Sequence, residues 1–167
     1  MSVTTDIVRT WRRPRAVIRD LLSQGRREDR AIVFLMVSCF LIFVAQWPRL
    51  RRVSEGYEPS PWPEDMNFEG MMTYTFFASV IILPLLMYGI AALSHVLARV
   101  FGGKGSFYSA RLALFWTLLA TSPLFLFYGL VRGLIGPGTQ AMLVGAIGGI
   151  IFVVIWLASL REAESNI

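Results

Sequence analysis

The sequence predicts an all-α membrane protein: a four-transmembrane-helix bundle preceded by short N-terminal amphipathic helices at the membrane interface. Three observations predict this class. Hydrophobic residues make up 55% of the chain, and the mean hydropathy is +0.58. Charged residues make up only 16%, whereas soluble domains usually carry about 25%. Four uncharged segments are long enough to cross a hydrocarbon core, which takes about 17–25 residues in a helix.

The distribution of charge divides the chain into three parts. Residues 1–30 form a basic N-terminal segment, residues 31–160 form the transmembrane domain, and residues 161–167 form a short tail. The expected spans cover about residues 31–48, 71–101, 107–132 and 139–160. Four spans place both termini on one side of the membrane, and that side carries 12 of the 16 basic residues. By the positive-inside rule it is the cytoplasmic side.

Residues 3–24 have the spacing of two short amphipathic helices. Proline suits the first turn of a helix, so the second helix is expected to begin at Pro14. Its apolar residues, from Val17 to Leu22, share one face and leave the charges on the other. These helices lie either on the membrane interface or against the end of the bundle. The residues expected to contact lipid at the interface are Trp11, Arg12, Arg13, Arg15 and Arg19.

Prolines mark the end of the first span and the loop that follows it. Pro48 is expected to end the first helix, with Trp47 at the interface. The loop over residues 49–70 contains three more prolines and is expected to be solvated. Its acidic residues are Glu55, Glu58, Glu64, Asp65 and Glu69. Their spacing does not match a calcium loop, and we expect no metal site.

Two prolines, Pro84 and Pro123, lie inside predicted spans. Each removes one backbone donor and is expected to kink its helix. A short turn joins the two spans, so the kinks could face each other, as broken helices do around the substrate sites of some transporters. The side chains available to line such a site are those of Tyr88, His95, Thr117, Thr121 and Ser122.

Two features near the turn after the second span have simpler interpretations than a functional site. His95, the only histidine, lies four residues before Arg99. We expect it at the interface or in a helix cap, because no predicted span contains an acidic partner. Residues 102–106 do not complete a phosphate loop. With Gly103 and Lys104 in register, the first glycine of that motif would fall on Ala98, and Gly105 takes the place of its Ser or Thr. We interpret these residues as a tight turn.

Small residues in the fourth span predict a helix-packing face, because their spacing lets another helix approach closely. They are Ala141, Gly145, Gly148 and Gly149. The partner is either a helix of the same chain or another subunit.

Two stretches of the chain resemble bacterial members of the YIP family, the Ypt/Rab-interacting membrane proteins. They are Arg13-Pro14-Arg15-Ala16-Val17-Ile18-Arg19-Asp20-Leu21-Leu22, before a charged collar and a span, and Gly102-Gly103-Lys104-Gly105-Ser106-Phe107, before Ala110-Arg111 and the span with Pro123. The resemblance covers about residues 8–160. It implies a compact multispanning helical domain with a cytoplasmic N-terminal segment, here in a bacterial inner membrane.

The family resemblance also has limits for this chain. Eukaryotic relatives are linked to Rab GTPases and vesicle traffic, but no residue here can be assigned to Rab binding. The family commonly has five spans, whereas we count four, because residues 107–135 are too few for two crossings.

The sequence favours a non-enzymatic membrane scaffold or accessory subunit that acts through protein or lipid contacts. The expected partners are the lipid bilayer with its anionic lipids, and a membrane protein or a second copy of the chain. The pI is about 10.0, but the basic residues flank membrane segments, so no nucleic-acid partner is expected. One histidine, one cysteine and no intramembrane carboxylate predict no catalytic site and no cofactor. The alternative is a small transporter or channel that uses the kinks at Pro84 and Pro123.

Overall fold

The computed structural model describes residues 3–63 and 65–165, and every regular element within them is helical. In this part of the chain the α-helices are α1 Val3–Thr10, α2 Pro14–Ser23, α3 Glu28–Ser54, α4 Phe68–Phe77, α5 Leu83–Val100, α6 Phe107–Ala120, α7 Ser122–Leu134 and α8 Thr139–Glu164. The predicted helical class is confirmed for these residues. Glu64 of the acidic loop lies outside them, as do the first two and last two residues of the predicted terminal segments.

Three helical stretches of the described residues are long and apolar enough to cross a membrane. They are α3, the continuous stretch Phe68–Val100, and α8. The pair α6 and α7 passes the same test when taken together, with a bend of 44° between its members. The structure therefore contains three candidate spans, or four if the bent pair is one span.

The first long helix continues past Pro48, so the prediction that Pro48 ends it is wrong. α3 runs on to Ser54. The residues after the proline are held in the helix by packing: Leu50 and Val53 are buried and form a small cluster with Met71 of α4. The free energy gained from these tertiary contacts therefore outweighs the loss of the backbone hydrogen bond that Pro48 cannot donate.

The second long stretch contains a π-helical turn, Ala78–Ile82, just before Pro84. The N–H of Leu83 bonds to the carbonyl of Ala78, five residues back. A proline has no N–H for the residue four positions earlier, and the wider π turn changes the register at this point. The distortion expected at Pro84 therefore takes the form of a π turn.

The third predicted helix is divided in two. α6 ends at Ala120 and α7 begins at Ser122. Pro123 lies in the first turn of α7, where its missing N–H is tolerated. The Thr121 hydroxyl donates to the carbonyl of Thr117, which occupies a backbone acceptor beside the break.

α6 and α7 together run alongside α3 in the same direction. Near the start of both, Arg111 forms an ion pair of 2.7 Å with Glu28. Near their ends, Gly133 lies against Pro48. We call the end where α3 and α6 begin the terminal end, and the end where α3 and α7 finish the loop end. α5 and α8 run the opposite way and finish at the terminal end.

α6 lies at the centre of the bundle. Every residue from Leu112 to Thr121 is buried, as expected of a helix that is apolar on all sides. The outer faces of the surrounding helices are apolar and exposed: Leu85 of α5 is 68% exposed and Ile150 of α8 is 64% exposed. Such extended apolar surface is typical of helices that contact lipid.

Candidate functional site

The N-terminal helices α1 and α2 form a hairpin that packs against the bundle. α2 buries Val17, Ile18 and Leu21 in the main apolar core. Its neighbours are α8 and α6, and α1 contacts α6 as well. The apolar stripe that the sequence predicts on α2 therefore faces protein. A position of this hairpin at the membrane interface stays a prediction.

Two indole groups fix the tip of the hairpin to α6. The Trp116 Nε1–H donates to Thr10 Oγ1 at 2.9 Å, and the Trp11 Nε1–H donates to the carbonyl of Ala120 at 3.1 Å. That carbonyl is available because the N–H of Leu124, its partner in an unbroken helix, bonds to the next carbonyl instead. The break between α6 and α7 thus supplies the acceptor that anchors the hairpin.

The hairpin lies along the side of α6. Ala120 is about 20 Å along the helix from Phe107, at about 1.5 Å of rise per residue. The hairpin tip therefore reaches well past the charged start of α6. Its helices cover a side of α6 that would otherwise face lipid or another helix.

The lipid-contact residues expected from the sequence are all exposed, although the Trp11 indole also bonds to α6. They are Trp11, Arg12, Arg13, Arg15 and Arg19. Arg19 also forms an ion pair of 2.7 Å with Glu162 of α8. Among the described residues, no ion pair involves Arg12, Arg13 or Arg15. A surface cavity of about 720 Å³ lies beside Val8, Arg12 and Arg13, where an anionic group could reach two guanidinium groups.

His95 is buried at the terminal end and pairs with an acidic residue. Its Nδ1 lies 2.7 Å from Glu164 Oε1, and the side chains are 3% and 5% exposed. Glu164 Oε2 accepts a bond from the Gly105 N–H, and the Glu164 carbonyl accepts one from the Lys104 N–H. The sequence prediction missed this partner because the carboxylate lies beyond the predicted end of the fourth span. The cluster joins α5, the glycine turn and α8.

A second cavity lies between this cluster and the hairpin. Its volume is about 900 Å³, and its wall combines the apolar Phe101 and Leu157 with Arg15, Arg161 and Glu164, whose carboxylate is paired with His95. Apolar and basic surface in one cavity is suited to an amphipathic ligand with an anionic head.

The small residues of α8 are distributed between α7 and the outside. Gly145 lies against Tyr128: a Cβ on it would be 3.0 Å from the ring. Gly148 faces Leu124 at 3.9 Å, and Ala141 is buried. A Cβ on Gly149 would meet no other described atom beyond its own turn of helix within 4 Å. One edge of the predicted packing face is therefore used within the chain, and the edge at Gly149 is open.

A close approach of two helices involves two glycines that the sequence analysis did not single out. A Cβ on Gly129 would overlap the carbonyl of Ala45, and one on Gly133 would overlap Pro48. Both glycines lie on α7 against α3. Their spacing is the Gly-x-x-x-Gly pattern of close helix pairs, so the signal was present in the sequence.

The polar residues considered for a transport path do not form a polar channel. The Thr117 hydroxyl donates to Ala113 and the Thr121 hydroxyl to Thr117, both within their own chain segment. Both side chains are fully buried. His95 is engaged by Glu164. The structure therefore gives no support to the transporter alternative.

At the loop end, Glu58 is buried, although the sequence predicted a solvated acidic loop. Its side chain is only 7% exposed, and its Oε1 lies 2.6 Å from Arg132 Nη2 and 3.4 Å from Arg49 Nε. The two arginines belong to α7 and α3. Glu58 therefore links the loop to two helices.

A family model for the Yip1 domain matches residues 8–166 of the chain. No curated protein and no solved structure matches the chain.

Proposed function

The chain belongs to the Yip1 domain family, and we propose that it is a non-enzymatic scaffold or accessory subunit within a membrane. Its apolar helices make it a multi-pass membrane protein. In this proposal it binds a membrane protein or a second copy of itself, together with anionic lipid, and it needs no cofactor.

The observation that carries the proposal is the basic hairpin, fixed to the bundle at its tip and open on its other side. The indole bonds of Trp11 and Trp116 hold it against α6. Arg12, Arg13 and Arg15 lie on the exposed side with no ion pair among the described residues. A basic surface whose backbone is already fixed by packing is suited to anionic headgroups or to an acidic protein segment, because only the arginine side chains remain to be ordered on binding.

We further propose the topology and compartment that best fit this role. The bent pair of α6 and α7 follows α3 from one end to the other, which supports a single crossing and four spans in all. The terminal end, where the hairpin joins α3, is then cytoplasmic, by the excess of basic residues. The resemblance to bacterial relatives supports a bacterial inner membrane.

The open edge of α8 is the proposed contact for a partner helix. Gly149 and Ala146 are exposed there, and no described atom outside the local segment of α8 lies within 4 Å of a Cβ on Gly149. Small residues allow close approach of helices in lipid. The resulting subunit would carry the basic hairpin on the same side as the ends of α5 and α8.

Site-specific photocrosslinking in native membranes tests the proposal. A photoreactive amino acid replaces Val8, which is 68% exposed on the hairpin, or Val100, which is 77% exposed at the end of α5. Adducts are identified by mass spectrometry. We expect position 8 to form an adduct with a protein or an anionic lipid. The corresponding adduct from position 100 should be several-fold weaker.

The charge dependence of the adduct provides the control. Changing Arg12, Arg13 and Arg15 together to Gln should remove most of the adduct at position 8. The matched triple change of Arg26, Arg27 and Arg51, which are also exposed, should leave it. A chain that stays monomeric and forms no adduct above the position-100 level would contradict the scaffold role.

A further inference from the structure

A cavity between the helices at the loop end has one polar end and an apolar body. Its volume is about 650 Å³, within the range of about 300–1,000 Å³ that is usual for small-molecule sites. Arg49 and Gln46 of α3 and Arg132 of α7 contribute its charged and amide groups. Leu83 and Met87 of α5 belong to its apolar lining.

The helix distortions at the two prolines border this cavity. Leu83 immediately precedes Pro84, and Phe125 lies two residues after Pro123; both side chains line the cavity. The bend of 44° directs α7 away from the axis of α6, and α7 packs against α3 and α8. Space therefore remains between α7 and α5. The two prolines shape a cavity, although the polar side chains expected for a transport path do not line it.

The polar end of the cavity carries excess positive charge. Glu58 contacts both Arg49 and Arg132 through one oxygen, Oε1. One carboxylate thus compensates one of the two guanidinium charges. Glu58 is not among the cavity-lining residues, so it holds the arginines from outside the cavity and leaves their other donors available.

One of these donors is buried without a partner. Arg132 Nη1 makes no hydrogen bond to any described atom, and the Arg132 side chain is only 15% exposed. Glu58 Oε2 also has no partner in the described part of the chain, so the carboxylate does not use that donor. A buried, unsatisfied donor is unfavourable, especially on a charged group. Arg132 Nη1 itself is enclosed, so a small turn of this partly exposed side chain toward the cavity would bring the donor to an anionic acceptor there.

We propose that this cavity binds a phospholipid, with the phosphate at Arg49 and Arg132 and an acyl chain along the apolar wall. Guanidinium groups bind phosphate oxygens through strong, charge-assisted hydrogen bonds. The apolar body between α5 and α7 favours a ligand with a chain over a soluble anion. The polar end of the site lies at the loop end of the bundle, and none of its lining residues belongs to the basic hairpin.

Native mass spectrometry of the full chain in detergent tests this site. The probes are dioleoylphosphatidylglycerol, dioleoylglycerol and inorganic phosphate. In a chain whose Arg12, Arg13 and Arg15 are changed to Gln to remove the proposed hairpin site, we expect one phosphatidylglycerol per chain. Its binding should be at least about 10-fold tighter than that of dioleoylglycerol, the scale of one charge-assisted hydrogen bond. Inorganic phosphate should not displace it at comparable concentration.

Two variants separate the head and chain contacts, and each has a control. Arg132→Gln should weaken phosphatidylglycerol binding about 10-fold or more, whereas Arg99→Gln, a change at an exposed arginine of the terminal end, should not. Met87→Trp fills the cavity and should also abolish binding, whereas Leu85→Trp on the exposed face of α5 should not. If Arg132→Gln fails to fold, Met87→Trp still tests the site.

Three results would overturn the proposal. Equal binding of dioleoylglycerol would show that the phosphate is not recognised. Displacement by inorganic phosphate would indicate a soluble-anion site. Unchanged binding in Arg132→Gln and Met87→Trp would show that the lipid binds elsewhere on the surface.

Discussion

Glu164 connects three parts of the terminal end through its side chain and its carbonyl. Replacing it with Ala would leave the His95 ring nitrogen and the Gly105 N–H without their buried acceptor. Each buried polar group left unsatisfied costs about 1–3 kcal/mol. We expect Glu164→Ala to lower the free energy of unfolding by at least about 2 kcal/mol, measured by thermal or denaturant unfolding in detergent.

Asp29→Ala is the control for this variant. Asp29 forms an ion pair with Arg27 at 3.4 Å, and its side chain is 71% exposed. Exposed pairs contribute about 0–1 kcal/mol, so this change should have little effect. Equal stability of the two variants would show that the Glu164 cluster does not hold the terminal end together.

The partners of Glu164 and Glu58 show what the sequence could not predict at the scale of single residues. The search for an acidic partner of His95 stopped at the apolar spans, whereas α8 continues to Glu164. Glu58 belongs to a loop rich in proline and charge, and nothing local to it indicates burial. Its ion pair with Arg132 of α7 is formed only once the helices are packed.

The contact between α7 and α3 depends on glycine at two positions. The same change, glycine to alanine, can therefore be compared at a packed helix position and at an open one. A Cβ at Gly129 would overlap the Ala45 carbonyl, whereas one at Gly149 would meet no described atom beyond its own turn of helix within 4 Å. We expect Gly129→Ala to destabilise the fold, because α7 must move away from α3. Gly149→Ala should be neutral or stabilising by up to about 1 kcal/mol, from helix propensity.

The melting temperature of each variant in detergent measures this difference. Gly145→Ala provides an intermediate case, because its Cβ would be 3.0 Å from a Tyr128 ring that can shift. The expected order of stability is Gly149→Ala, then Gly145→Ala, then Gly129→Ala. A Gly129→Ala variant as stable as the unmodified chain would contradict the close approach of α7 and α3.

At the scale of helices, hydropathy predicted the apolar segments well but not their breaks and ends. α3 was expected to stop at Pro48, and it continues because Leu50 and Val53 are buried. The third predicted helix is divided at Thr121. The consequence of a proline depends on what packs around it, and the local sequence does not contain that information.

At the scale of the whole molecule, segregation of charge was sufficient to predict an apolar helical bundle. It did not predict that α6 would be enclosed, because all the long apolar segments look alike in hydropathy. α6 is distinguished by contacts on all sides, including those from the N-terminal hairpin. The sequence leaves two locations open for the hairpin, the membrane interface and the end of the bundle. In the structure Val17, Ile18 and Leu21 are buried, which shows that α2 packs against protein.

The remaining question at this scale is whether the bent pair of α6 and α7 crosses the membrane. Because it follows α3 from end to end, we expect one crossing, with the turn before α8 on the same side as the loop after α3. Single cysteines in a Cys39→Ala background test this expectation. Suitable positions are Tyr57, Lys104, Gly138 and Ser165, all of which are exposed.

A membrane-impermeant maleimide is applied to intact cells. Tyr57→Cys and Gly138→Cys should be labelled together, and Lys104→Cys and Ser165→Cys should react only after permeabilisation. Tyr57 is the reference for the loop end, because only α3 separates it from the N-terminal segment. If Gly138→Cys behaves like Lys104→Cys, the pair re-enters on one side and α8 carries the C-terminus across. Such a result would leave the bundle with three spans. It would also place the C-terminus across the membrane from the basic hairpin, which is incompatible with the ion pair between Arg19 and Glu162.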